Sequence, residues 1–402
     1  MNNPKLRFKR EDGTEFPLWE KEKWSNLGHF VPSGTLSKAD LSDNGTPCIL
    51  YGELYTKYGE IANTIYSKTN ATSHIYSKAD DVILPKSGET PEDISTATCI
   101  PYDNISLGGD LIVFRHNEKV IGTYLSYLIS NRAKNAIASI AQGKSVVHIS
   151  EKSLSNIELS YPNPEEQQKI ADFLSTVDEV IAQSEAEVQN LEQQKKGVMQ
   201  KIFSQKVRFR REDGTDFPEW EIKKLGELTK QVNIKNNTSR NYPVYSINNQ
   251  KGFIPQIDQF EDREVASTDK SNYRVVDYHQ FAYNPSRINV GSIAYLKDKI
   301  NVIVSPLYVI FECLTELNPE FLDIYVRTSD FHKQRKINTA GSVRDSLSYE
   351  GFADIKTAIP CFEEQQKIAD FLSAYDEAIT CTKQELEKWK ELKKGLFQQM
   401  FV

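Results

Sequence analysis

Apolar residues recur at alternating spacings of four and three along one stretch of the chain: Ile170, Leu174, Val177, Ile181, Ser184, Val188, Leu191, Lys195, Val198 and Ile202. That rhythm is a heptad seam on an α-helix. It returns in Ile368, Leu372, Tyr375, Ile379, Thr382, Leu386, Trp389, Lys393, Leu396 and Met400. Both seams are interrupted at matching places, Ser184 with Thr382 and Lys195 with Lys393. Asn163-Pro164-Glu165-Glu166 offers a cap, a proline in the first turn, and carboxylates at the positive end of the helix dipole. The spacing predicts a helix over 165–203, roughly 57 Å long at 1.5 Å per residue. A seam that long must be buried, and a single neighbouring domain covers only part of it. The two helices are therefore expected to pair with each other.

The remainder follows a different rhythm. Short strand-like runs (DDVILP, DLIVFR, FIPQI, SIAYL, NVIVSPLYVIF) alternate with turns such as DNG and NVG, and short helices are predicted at 124–140 and near 319–336. This is the pattern of an α+β protein.

The chain also repeats itself. EEQQKIADFLS at 165–175 recurs unchanged at 363–373. RFKREDGTEFPLWE at 7–20 returns as RFRREDGTDFPEWE at 208–221, and KKGVMQKIF at 195–203 as KKGLFQQMF at 393–401. Each half thus has a common opening, a variable body and a common helical ending. Two copies are too few for a solenoid and point to a duplicated domain. The expected boundaries are 1–162 and 207–360 for the bodies, with 163–206 and 361–402 for the helical segments. Because the same opening follows the first helix and begins the chain, a pseudo-two-fold, circular arrangement with antiparallel helices is expected.

Composition changes the picture little. A chain of 402 residues with 39% hydrophobic content suits two or three packed domains. Nothing resembles a signal peptide, and no run of 18 apolar residues occurs, so a cytoplasmic protein with no membrane partner is expected. The five cysteines are scattered without C-x-x-C, and the six histidines show no ligand spacing, so no metal site is expected. The net charge of −7 argues against nucleic acid as a partner. Its distribution weakens that argument, because residues 23–152 carry only about −1 and 222–350 about +2.

The two helix openings, PNPEEQQKIADFL (162–174) and PCFEEQQKIADFL (360–372), each preceded by a variable body, resemble the specificity subunit of type I restriction–modification enzymes. The resemblance covers essentially the whole chain. It implies two target recognition domains joined by a helical spacer that reads a bipartite, asymmetric double-stranded DNA site. It also implies two methyltransferase subunits using S-adenosylmethionine and motor–nuclease restriction subunits using ATP and Mg²⁺, with no cofactor in this chain. The helix faces near Glu165–Glu166 and Glu363–Glu364 are expected to dock partners. NPSRINVGSIAY (284–295) looks like a core loop of such recognition domains, with LPKSGETPED (84–93) as its counterpart.

Reading bases takes Arg or Lys for guanine and Asn or Gln for adenine, presented on exposed loops. In the second body the candidates are Tyr245, Asn248, Lys251, Arg287, Asn289, Lys333, Arg335, Lys336 and Arg344. In the first they are Lys57, Tyr58, Lys86, Ser87, Lys144, Ser145 and His148. The plain alternative for each is a solvated basic face.

Two motifs mislead. Residues 138–145 (ASIAQGKS) approximate a P-loop, but a helical stretch precedes them and a strand-like run follows, the reverse of the order a P-loop needs. A DNA-facing loop or a plain turn remain as readings. Asn284-Pro285-Ser286-Arg287 approximates the N-P-P-Y/F signature of amino-methyltransferases but lacks the aromatic that stacks on a flipped base, so no catalysis is expected. The rival readings are a coiled-coil scaffold, a silent specificity cassette, and a self-contained DNA methyltransferase.

Overall fold

The computed structural model describes residues 4–143, 146–237, 241–249, 251–259, 269–339 and 346–401, the side chains of 258 and 259 excepted. The chain divides into two compact units. One comprises Met1–Glu185 with Gln384–Val402, the other Ala186–Lys383.

The first unit is built on a four-stranded antiparallel sheet in the order Gly28–Val31, Leu111–His116, Asp81–Pro85, Thr98–Ile100. Successive side chains of a strand point to opposite faces, so the buried runs of the two central strands feed two cores at once. Val82, Leu84, Ile112 and Phe114 join Trp24, Tyr124 and Tyr127 on one side. Ile83, Leu111 and Val113 join Ile49 and Leu107 on the other. That second core lies under a smaller sheet ordered Leu41–Ser42, Ser67–Thr69, Thr46–Ile49, Ser106–Leu107. A ladder of Glu20–Lys23 with Glu158–Tyr161 closes the body near the central helix.

The second unit repeats this plan. Its sheet runs Thr229–Val232, Val309–Cys313, Gln280–Tyr283, Ile293–Tyr295, and its closing ladder pairs Glu221–Lys224 with Lys356–Ile359. Phe281, Tyr283 and Phe311 feed one core, Ala282 and Ile310 the other.

The short helices depart from expectation. The predicted helix 124–140 is Gly122–Leu128 and Lys134–Ile140, separated by a π-helical turn at Ile129–Ala133. There the Ser130 hydroxyl both accepts from Ala97 N (2.9 Å) and donates to Ala97 O (3.1 Å). The predicted helix near 319–336 is also two, Pro319–Tyr325 and Ser329–Thr339. Between them the Thr328 hydroxyl donates to Tyr325 O (2.7 Å) and accepts from Phe331 N (3.2 Å), so it ends one helix and caps the next.

Asp80, at φ +71°, anchors the start of Gly122–Leu128. Its carboxylate accepts from Gly122 N (2.7 Å) and Thr123 N (3.2 Å) and lies 2.9 Å from His116 Nε2. Burial opposes its ionised form, yet the bonds from His116 and Gly122 hold it below the ordinary carboxylate range. Burial likewise opposes protonated His116, but Asp80 raises it above the usual histidine value. The Asp80 contribution is therefore lost as pH falls through its lowered folded value, below ~4. The His116 contribution is present below ~6.5 and lost as pH rises through its raised folded value. Asp80→Ala should cost about 1–3 kcal/mol by denaturant melts at pH 6, and progressively less as pH rises through the raised value of His116 and the imidazolium is lost. A loss that does not change with pH above 6 would remove His116 from this account.

The central helix is Pro164–Phe203 and the C-terminal helix Phe362–Met400. The seam has two destinations rather than one. Ile170, Leu174 and Val177 join the first body's core, together with Leu396 and Met400 from the C-terminal helix. Ile368, Leu372 and Ile202 join the second body's core. Between these ends the helices meet each other and run antiparallel. In the first unit Asp178 pairs with Lys393 and Glu185 with Lys390; in the second Glu192 pairs with Lys383 and Lys195 with Asp376. The lysines that interrupt the two seams thus each meet a carboxylate, Lys195 that of Asp376 and Lys393 those of Asp178 and Glu60.

The repeated motifs fit one another. Arg7 of the first opening makes a two-pronged pair with Glu166 (3.0 and 2.7 Å) and also donates to Pro17 O. Arg208 repeats this with Glu364 (3.3 and 2.9 Å) and Pro218 O. Gln167 donates to Pro162 O and accepts from Ile121 N, while Gln365 donates to Pro360 O and accepts from Asn318 N. Lys169 and Lys367 donate to Lys9 O and Arg210 O. The EEQQK sequence is written twice because each copy docks the opening segment of its own unit. This corrects the expected partner-docking faces: Glu166 and Glu364 are both 0% exposed, and only Glu165 and Glu363 face solvent.

Candidate nucleic-acid interface

Two loops leave the same place in the two sheets. The third strand is Asp81–Pro85 in one and Gln280–Tyr283 in the other, and each runs directly into a candidate loop. In the first unit Lys86 and Ser87 follow, and the Ser87–Gly88 strand pairs with Val147–His148. This brings Lys86, Ser87 and His148 together. Ile149 N donates to Lys86 O (3.1 Å), and in the second unit Leu347 N donates to Pro285 O (3.1 Å) at the matching point.

In the first unit Lys86 is half-exposed beside Glu151 (3.3 Å). Ser87 does not face outward as expected: it is buried, its hydroxyl 3.5 Å from Asp110 Oδ2 and its carbonyl accepting from the Tyr55 hydroxyl. That bond ties the loop to the turn bearing Lys57. Lys57 keeps part of its ammonium in solvent but donates to Glu53 (2.7 Å) and Ser67 Oγ (3.2 Å). Tyr58 packs its ring on Tyr66 and accepts from Tyr66 N, and burial pushes its phenol up to about 12. Beside them is a cleft of about 750 Å³ lined by Thr35, Lys38, Tyr51, Thr56, Lys57 and Asp110 among others. Lys38 and Tyr51 escaped the sequence reading because neither stands in a turn signature nor in a basic cluster.

Lys144 and Ser145 lie outside the described residues. Their flanks form a tight return: Gln142 and His148 exchange both backbone bonds (3.0 and 2.8 Å). Gly143 has φ +128°, and a Cβ there would fall 1.9 Å from Val146 O. A helix ends at Ile140 and a strand begins at Val147, opposite to the order of a P-loop.

In the second unit Asn284 is committed to its turn. Its side chain accepts from Ser286 N (3.1 Å) and its carbonyl from Arg287 N (3.0 Å). Arg287 is exposed and makes no ion pair among the described residues. Asn289 lines a pocket of about 390 Å³ with Asn249, Arg327 and His332, floored by Val290, Gly291, Ile293 and Val326. Gly291 makes the turn at φ +90°. Asn248 and Lys251 belong to the neighbouring hairpin of Tyr245–Asn248 with Gly252–Pro255, where Lys251 N donates to Asn248 Oδ1 (3.1 Å). Tyr245 is partly buried against that hairpin's core. Lys333 and Lys336 share an exposed helix face, but Arg335 is only 5% exposed. At helical spacing it turns inward, so it is not part of the basic face expected for it. Burial, with Arg335 nearby, lowers His332 below the ordinary histidine value and favours its neutral form. Arg344 lies outside the described residues. Arg327 and His332 were missed because the pocket is assembled from three segments distant in sequence.

Among the described residues no three His, Cys, Asp or Glu side chains group as a metal site, and no helix is long and apolar enough to cross a membrane. The model of the type I restriction modification DNA specificity domain matches twice, over residues 18–193 and 218–391. The chain belongs to this family. Its members' role is specificity, so the chain is a DNA-specificity subunit of a type I restriction–modification system rather than a catalytic one. A type I restriction enzyme MjaVIII specificity subunit from Methanocaldococcus jannaschii is 22% identical over 72% of this chain and 72% of its own. A putative MjaX specificity subunit of the same organism is 26% identical over 72% and 69%. Among solved structures, a type I specificity subunit from M. genitalium superposes with a TM-score of 0.64 at 15% identity, covering 100% of this chain and 99% of the other. A chain from a study of complex assembly and conformational transition in a type I system gives 0.51 at 14%, over 96% of both. Both likenesses are of fold. Membership in the family sets aside the self-contained methyltransferase and the scaffold.

Proposed function

We propose that the chain reads a bipartite, asymmetric double-stranded DNA site, one body per half-site, within an assembly of two methyltransferase subunits and restriction subunits in the cytoplasm. The observation that carries this reading is the duplicated scaffold with unlike loops. The third strand of each sheet delivers a loop at an equivalent position, yet one offers Lys86 beside His148 and the other Arg287 and Asn289 beside Asn249. Equivalent placement with different donors and acceptors suits two different base sequences. Exposed Lys57, Lys333 and Lys336 supply the phosphate-directed charge. S-adenosylmethionine, ATP and Mg²⁺ would be held by the partner subunits.

The test is a methylation map of DNA from cells co-expressing this chain with its cognate methyltransferase subunit. The expected result is modified adenines in a two-part motif with a fixed gap. No new methylation, with both proteins soluble and co-purifying, would favour a silent cassette. The helices are read as the spacer, so four residues inserted into the central helix should change the gap and preserve both half-sites. Altered half-sites would overturn the spacer role.

A further inference from the structure

The polar pairs between the two helices fall into two kinds. Under the internal repeat, position 178 corresponds to 376, 185 to 383, 192 to 390 and 195 to 393. Asp178–Lys393 and Lys195–Asp376 are then the same pair made twice, an aspartate on one helix meeting a lysine on the other. Glu185–Lys390 and Lys383–Glu192 are also equivalent, but with signs inverted: the central helix supplies the glutamate both times and the C-terminal helix the lysine both times.

This difference matters because the two seams are otherwise alike, with matching apolar positions and matching lysine interruptions. An apolar seam alone does not prevent a central helix from pairing antiparallel with a second central helix. In such a pair Asp178 would meet the other copy's Lys195, so the repeated pairs are satisfied either way. The inverted pairs are not. Glu185 would face Glu192 twice over, and in a pair of C-terminal helices Lys383 would face Lys390 twice. Flanking charges that attract in one pairing and repel in another are what set partner choice in antiparallel and parallel helix pairs alike. We propose that Glu185–Lys390 and Lys383–Glu192 form a charge code that makes the central helix accept a C-terminal helix and reject a second central helix. Covalent linkage, through effective concentration, then makes the chosen partner the one in the same chain.

The test uses the full chain and keeps net charge constant. The double variant Glu192→Lys/Lys390→Glu turns both intramolecular pairs repulsive. Position 390 then sets a second carboxylate against Glu185, and position 192 a second ammonium against Lys383. The same exchange makes both like-with-like pairings attractive. The quadruple variant adds Glu185→Lys and Lys383→Glu and restores attraction within the chain with all four signs reversed. At 50 mM salt the double variant should melt about 3–6 °C below the unmodified chain, and the deficit should shrink in 0.5 M salt, where exposed charges are screened. Its dimer association constant by sedimentation should rise at least a hundredfold at 50 mM salt. The quadruple variant should return both readings to those of the unmodified chain. An unshifted double variant, a double variant no more dimeric than the unmodified chain, or a quadruple variant that stays impaired would each overturn the code.

Discussion

Arg7→Ala should lower the unfolding free energy by about 3–5 kcal/mol, the cost of leaving a buried carboxylate without its charge partner. Glu166 is 0% exposed, and Arg7 is what meets both its oxygens. The duplicated site makes the test internally controlled. Arg208→Ala should cost less, because Trp220 Nε1 donates to Glu364 (3.1 Å) and remains when the guanidinium is gone. At the corresponding place in the first unit, Trp19 Nε1 is buried without a hydrogen-bond partner among the described residues. The combined replacement Arg7→Met/Glu166→Leu should recover most of the loss, since it removes the buried charge together with its partner. Urea melts of the three variants check this. Equal costs for Arg7→Ala and Arg208→Ala would mean that Trp220 contributes nothing to holding Glu364.

The second large effect is on DNA. Asn289→Ala or Arg287→Ala should weaken binding to the cognate site by about 1–3 kcal/mol, roughly tenfold to a hundredfold, and relax sequence preference in one half-site only. Lys333→Ala should weaken cognate and non-cognate DNA alike and lower the salt slope by about one ion, because an exposed helix lysine addresses phosphate rather than a base edge. Competition binding at several salt concentrations, with randomised half-sites, separates the two. Loss of preference in both half-sites from Asn289→Ala would contradict the assignment of one body to each.

What the sequence made legible were the features carried by periodicity. The helix predicted over 165–203 is Pro164–Phe203, because a seam of ten positions states its own period. The counterpart loops at 84–93 and 284–295 follow equivalent strands, because strand–turn punctuation survives divergence. Side-chain direction was less legible. Arg335 reads as one of three basic residues within four positions, yet helical geometry sends it to the core while Lys333 and Lys336 face out. Glu166 reads as a solvated carboxylate at a helix start, and only its Arg7 partner, 159 residues away, explains why it is buried. The pocket of Asn249, Asn289, Arg327 and His332 has no sequence signature at all, since it is made by folding.

The composition of the first unit also fixes an order of events during synthesis. Its core needs Leu396, Met400 and Phe401, and Leu6 N is held by Gln399 O. The second unit needs nothing beyond Lys383. The body whose sequence comes first therefore cannot close its core until residues beyond the whole of the second body have been made. Domains usually mature in the order of their translation. Here the first body stays incomplete until residues 396–401 are made, so the two bodies must mature together at the end of synthesis rather than one after the other.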